Sequence, residues 1–168
     1  MLYTLPSGSR VLVRPIAADD KDKLARGLRQ LSDESIRKRF LAAKPRFTSA
    51  ELRYLTEVDG VNHIALVTVL EDDPDQLVAV ARCVRLPDRH ATAEMAIVVG
   101  DPWQGQGLGR ALANALADAA RAVGIRRFAA TMLGDNEAAR RLMRTFARRL
   151  EEGHISGGVR QVTVELAA

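Results

Sequence analysis

The sequence predicts one domain of the α+β class, a mixed sheet with helices packed on it. Three observations predict it. Between Val61 and Val99 three apolar, β-branched segments follow one another across the short turns EDDPD and PDRH, the pattern of an antiparallel meander. From Leu108 the apolar residues switch to three- and four-residue spacing, and a second apolar run follows at Ile125, so a strand–helix–strand crossover joins the meander. The length, 168 residues, suits one domain spanning residues 1–168, without repeats or linkers.

The elements follow in order. Ser9 to Ile16 (SRVLVRPI) alternates and opens as a strand. Asp19 and Asp20 are placed to cap a helix carrying Leu24, Leu28 and Leu31 on one face. Ser32 begins a second short helix, SDESIRKRF, whose basic RKRF end reads as a solvated face. TSAE, Thr48 to Glu51, matches a capping box, and Leu52, Leu55 and Val58 follow at helical spacing. The meander strands are Val61–Leu70, Gln76–Leu86 and Ala91–Val99. Leu108, Leu112, Ala115, Leu116, Ala119 and Val123 form the stripe of the next helix, and Gly124 stops it. Ile125–Met132 is a strand, and Ala139, Leu142, Met143 and Phe146 mark another helix. The tail reads as a hairpin turning at Ser156–Gly157–Gly158.

Composition narrows the function. The hydrophobic fraction of 47% with only 4% aromatics calls for an aliphatic core. One cysteine, Cys83, excludes an internal disulfide framework, and in its apolar run it reads as a small core residue. His63, His90 and His154 show no metal-ligand spacing, so no metal is expected. The N-terminus lacks the features of a signal peptide, and no apolar run approaches the ~20 residues of a membrane span. A cytoplasmic location is expected. A net charge of +4 is too mild for nucleic acid but suits a polyanionic small ligand.

The chemistry-bearing stretch is GDPWQGQGLGRAL, Gly100 to Leu112. A phosphate-binding G-x-x-x-x-G-K-[ST] loop fails because Gln106 stands where lysine is required. A dinucleotide G-x-G-x-x-G fails because Arg110 takes the third glycine's place. What remains is Gln104-Gly105-Gln106-Gly107-Leu108-Gly109 at a helix N-terminus, or a flexible loop whose glycines only serve packing. Bare backbone there lets free N–H groups and the helix dipole meet a pyrophosphate. Gly100 and Pro102 shape the exit from the strand, and Trp103 packs at the loop base.

Gln104 to Gly109 resembles the pyrophosphate-binding motif of the GNAT superfamily of acyl-CoA-dependent N-acetyltransferases. AEMAIVV resembles the strand before that motif, and GDNEAARRLM the later strand-to-helix junction. VLVRPIAADD, SDESIRKRF, TSAELRYLTEVDG and NHIALVTV resemble the acetyltransferase domain of bacterial protein-lysine acetyltransferases. The resemblance covers nearly the whole chain. It implies a mostly antiparallel sheet of about six to seven strands flanked by about four to five helices. It also implies acetyl-CoA as cosubstrate, direct transfer to an amine, a protein lysine as acceptor, and a possible homodimer. A small amine or polyamine acceptor, or a non-catalytic acyl-CoA-binding domain, are the alternatives.

An attacking lysine must lose a proton that it holds with a pKa of about 10.4, which costs about 4.6 kcal/mol at neutral pH. Glu94 is the candidate base, the only acid in Ala91–Val99. Ala93, Met95 and Ala96 beside it would make its carboxylate a stronger base. Ile97, Val98 and Val99 are expected on the cofactor, with the N–H groups of Val98 and Val99 polarising the thioester carbonyl. The resemblance adds Gln104, Gly105, Gln106, Gly107, Leu108, Gly109, Arg110 and Asn136 as cofactor contacts, Asn136 also fitting a helix cap. Arginines 140, 141, 144, 148 and 149 read as a solvated face from which one or two could reach a cofactor phosphate. Where many members carry a tyrosine acid this chain has Met143.

Overall fold

The computed structural model describes residues 1–167. Its elements run β1 (Leu2–Thr4), β2 (Arg10–Pro15), α1 (Lys21–Gln30), α2 (Asp33–Phe40), α3 (Ser49–Thr56), β3 (His63–Leu70), β4 (Leu77–Leu86) and β5 (Arg89–Val99). Then follow α4 (Leu108–Ala122), β6 (Arg127–Leu133), α5 (Glu137–Thr145), β7 (Ala147–Glu152) and β8 (Val159–Leu166). All eight strands join one sheet in the order β1-β2-β3-β4-β5-β6-β8-β7. Every pairing is antiparallel except β5 with β6, where the α4 crossover makes it parallel. Among the described residues no helix is long and apolar enough to cross a membrane.

Alternation along the central strands divides the core. Ile64, Cys83 and Met95 share one face of the sheet, and α4 lays Leu108, Leu112, Ala113, Leu116, Ala117 and Ala120 against it. Small alanines let that helix approach closely. The opposite face carries Ala65, Val67 and Val80, covered by Leu24 of α1 and by Leu52 and Leu55 of α3. Cys83 is fully buried, as its apolar run predicts, and burial pushes its thiol up to about 12, so it is an inert core group.

Three local features depart from the sequence reading. The sheet has eight strands because Leu2–Thr4, with no alternating pattern of its own, pairs with β2 through Leu2↔Leu12, Tyr3↔Val11 and Thr4↔Arg10. Asp20 does not cap α1 with its side chain. Its carboxylate is buried, accepts from the Ala17 N–H at 2.9 Å, and meets both Arg14 guanidinium nitrogens at 2.7 Å. Burial opposes ionisation there, but these hydrogen bonds outweigh it and hold the Asp20 pKa below the usual carboxylate range. Phe146 lies just past the end of α5 and packs edge-on against Phe128 at 6.2 Å. The capping box holds as read: Thr48 Oγ1 accepts from the Glu51 N–H at 3.1 Å and Glu51 accepts from the Thr48 N–H at 2.7 Å.

Candidate active site

The site begins where the sheet comes apart. β5 pairs with β6 only through Thr92↔Arg127, Ala93↔Phe128 and Glu94↔Ala129. Residues 95–99 continue β5 alongside β4 but leave β6. A cleft of about 380 Å³ opens in the gap. Its walls are Met95–Val99 of β5, Ala130–Met132 of β6, the N-terminal turn of α4, the first turns of α5, and Ser35, Lys38 and Arg39 of α2.

Strand alternation decides which backbone groups face this gap. The Gly100 N–H donates to Val78 O on the β4 side at 2.8 Å, whereas Ala91 O accepts from the Arg126 N–H on the β6 side at 2.7 Å. Odd-numbered residues therefore direct their N–H and C=O groups toward the gap, and even-numbered residues bond β4. Ile97 and Val99 present their backbone to the cleft. Val98, expected to offer its N–H there, directs it to β4 and lines the cleft only with its side chain.

At the mouth stands the glycine-rich turn. Gly105 (φ +73°) and Gly107 (φ +82°) are left-handed, a conformation that a side chain would strain. The first backbone bonds of the helix are those of the Arg110 and Ala111 N–H groups to Gly107 O. The N–H groups of Gly105, Gln106, Gly107, Leu108 and Gly109 have no backbone partner among the described residues. Consecutive free donors at a helix N-terminus fit a pyrophosphate. Side chains at the motif do other work. Leu108 anchors in the core. The Gln106 amide is turned away, accepting from the Ser7 N–H at 3.1 Å and donating to Pro102 O at 3.3 Å. Arg110 is exposed and is not part of the cleft wall.

Gln104 reaches back to bind Val99 O (3.0 Å) and Ser35 Oγ (3.1 Å). Ser35 in turn donates to Asp101 Oδ1 at 2.8 Å, and Asp101 also accepts from the N–H and hydroxyl of Ser32. This network ties the start of α2 to the glycine loop. Sequence reading missed it, because Ser32 and Asp101 are remote in the chain. Trp103 packs against Gly100 and also lines the cleft.

Asn136 caps α5, accepting from the Ala139 N–H at 3.1 Å, and it lines the cleft as well. Met143 is buried at the cleft wall and offers no proton. Two of the α5 arginines look elsewhere: Arg140 and Arg144 converge with Arg160 on Glu152. They are held by that carboxylate rather than free for a ligand.

Glu94 sits at the last paired register before the gap, on the α1–α3 face. Its side chain is exposed and makes no hydrogen bond or ion pair among the described residues. The apolar surroundings expected from its neighbours are not there, because Ala93 and Met95 point to the opposite face. Its setting is polar. In the same cross-strand row lies His63, through Val84. Arg82 is buried, with Nη1 donating to Leu55 O at 3.1 Å and lying 3.2 Å from His63 Nε2. Burial, and then the neighbouring Arg39 charge, hold the Arg82 pKa down to about 10. Burial and the Arg82 charge lower the pKa of His63, so Nε2 acts as an acceptor.

A strand edge with free backbone lies beside a turn of unpaired N–H groups, a geometry that fits a long ligand bearing a pyrophosphate. Residues 30–147 match the acetyltransferase (GNAT) family. The chain is 38% identical over 138 residues to acetyltransferase Pat of Mycolicibacterium smegmatis, a match that covers 82% of this chain and 40% of that protein. It therefore spans about two fifths of that relative's length. The crystal structure of the GNAT domain of S. lividans PAT superposes with a TM-score of 0.87 at 29% identity, covering 99% of this chain and 96% of that one. A cAMP-binding acyltransferase from Mycobacterium smegmatis superposes at 0.66 with 30% identity, over 100% of this chain and 47% of the other. The chain belongs to the GNAT acetyltransferase family, whose members take acetyl-CoA as the acetyl donor.

Proposed function

We propose that the chain acetylates lysine side chains of proteins, with Glu94 as the general base. The observation that carries this reading is the position of Glu94: an unpaired, accessible carboxylate where β5 and β6 part, between the cleft and the α1–α3 face. Likeness to Pat and to the PAT domain supports a protein acceptor. A lone buried cysteine fits a reducing cytoplasm.

Acetyl-CoA supplies the activated thioester. The free N–H groups of residues 105–109 hold its pyrophosphate, and Asn136 borders its path along the cleft. The N–H and C=O of Ile97 and the N–H of Val99 face amides or a carbonyl lying along β5, while Gln104 holds the Val99 carbonyl. Glu94 takes a proton from the lysine ammonium, directly or through water, and the neutral amine then attacks the thioester carbonyl, expelling the thiolate. No acid is needed at Met143, because a thiol with a pKa of about 8.5 leaves readily as thiolate.

The test is turnover on a panel of intact proteins, with thiol release and acetyl-lysine mapping as readouts. Glu94→Gln is expected to lower turnover about 100-fold or more with acetyl-CoA affinity retained. Unchanged turnover removes Glu94 as the base. Turnover on polyamines alone overturns the protein acceptor.

A further inference from the structure

Beside Glu94 the structure holds two guanidinium groups that make no ion pair among the described residues. Arg39 lines the cleft and also a second, smaller chamber beneath α1–α3, and Arg82 lines that chamber too. The remaining walls are largely apolar, including Leu24, Leu28 and Val80. Among the described residues Arg39 makes no hydrogen bond or ion pair; its guanidinium lies over the Phe40 ring, 4.8 Å from the centroid. Arg82 uses Nη1 alone, on Leu55 and His63. Two like charges sharing an apolar recess are costly unless an anion joins them. Burial lowers the Arg39 pKa, and the Glu94 charge opposes that shift.

We propose that Arg39 and Arg82 form a carboxylate-binding subsite for the acceptor, which selects an amine carried beside a carboxylate: a lysine with aspartate or glutamate as its neighbour. The chamber is small, about 60 Å³ against about 380 Å³ for the cleft. That accommodates a carboxylate tip and little more. A guanidinium fork matches its two oxygens. The same charges repel a polycationic acceptor. The recess adjoins the cleft through Ala96 and Val98, next to Glu94, so anion and amine are held at neighbouring positions. This inference rests on the protein-lysine reading above.

The test compares matched lysine peptides with Glu or Gln beside the lysine, using wild type, Arg39→Gln and Arg82→Lys. The readouts are kcat/KM by thiol release and acetyl-CoA affinity by calorimetry, which also reports that each variant is folded. Wild type is expected to prefer the Glu peptide about tenfold or more, and Arg39→Gln to shrink that ratio to about twofold or less. Arg82→Lys keeps the charge but loses the fork, and an intermediate ratio is expected. Equal rates on the two peptides with wild type, or an undiminished ratio in Arg39→Gln, overturn the subsite. So does a loss of acetyl-CoA affinity in Arg39→Gln with the ratio intact, because the arginine then serves the donor. If free amino acids are acetylated with Arg39 dependence and peptides are not, the subsite stands and the protein-lysine reading fails.

Discussion

On one face of the sheet, α4 presses Leu112, Leu116 and a series of alanines onto Ile64, Cys83 and Met95, and the contact is dry and uncharged. On the other face, α1–α3 cover Ala65, Val67 and Val80 but leave Asp20, His63, Arg82, Arg39 and Glu94 within or beside the packing. The difference separates two kinds of recognition. In the function proposed above, the donor meets backbone, the free N–H groups of a glycine turn at the start of an aliphatic helix, and the acceptor meets side chains whose charges can be exchanged. A backbone site suits a ligand that never varies, and a side-chain site suits one that must be selected.

Three perturbations sharpen this contrast. The largest effect belongs to Leu116→Ala, which opens a cavity under α4. A loss of about 3 kcal/mol is expected in denaturant unfolding, and the loss should not vary with pH. A loss under about 1 kcal/mol would mean that α4 is not the stabilising element. Next comes Gly107→Ala. Forcing a Cβ into the left-handed region costs about 1–2 kcal/mol, so the KM for acetyl-CoA should rise about five- to thirtyfold with kcat little changed. An unchanged KM would remove the turn from donor binding. The smallest is His63→Gln. The His63 pKa in the folded state lies below its ordinary 6.5, so the unfolded chain takes up the proton first. Wild type should therefore lose stability as pH falls from 6.5 toward the folded pKa, by a few degrees in Tm at most. The variant should show a flatter profile over that range, and an identical slope would place the titration elsewhere.

Glu94 shows how far sequence reading reaches. As the only acid of its strand it stood out, and its position beside the gap fits the role proposed for it. Its surroundings differ from that reading, because neighbours in a strand lie on opposite faces and the residues registered beside Glu94 are Val84 of β4 and Ala129 of β6. The same rule displaced Val98: whether a strand N–H is free depends on the partner strand. Arg39 read as solvated surface, since nothing in RKRF reveals that α2 folds over the cleft. The arginines of α5 read as a solvated face with one or two able to reach a cofactor phosphate, yet Glu152 on β7 holds Arg140 and Arg144.

The sequence by itself determined the features that consecutive residues encode. These are the meander with its turns, the stripe of α4, the capping box at Thr48, and the turn of Gly105 and Gly107 with its bare backbone. Only the tertiary structure decided where β5 and β6 part, that Leu2–Thr4 becomes an edge strand, that Asp101 ties α2 to the glycine turn, and that two arginines share one apolar recess. Periodicity and backbone permissiveness are local properties. Splaying, pairing and charge proximity arise between residues far apart in the chain, and they exist only once the sheet has formed.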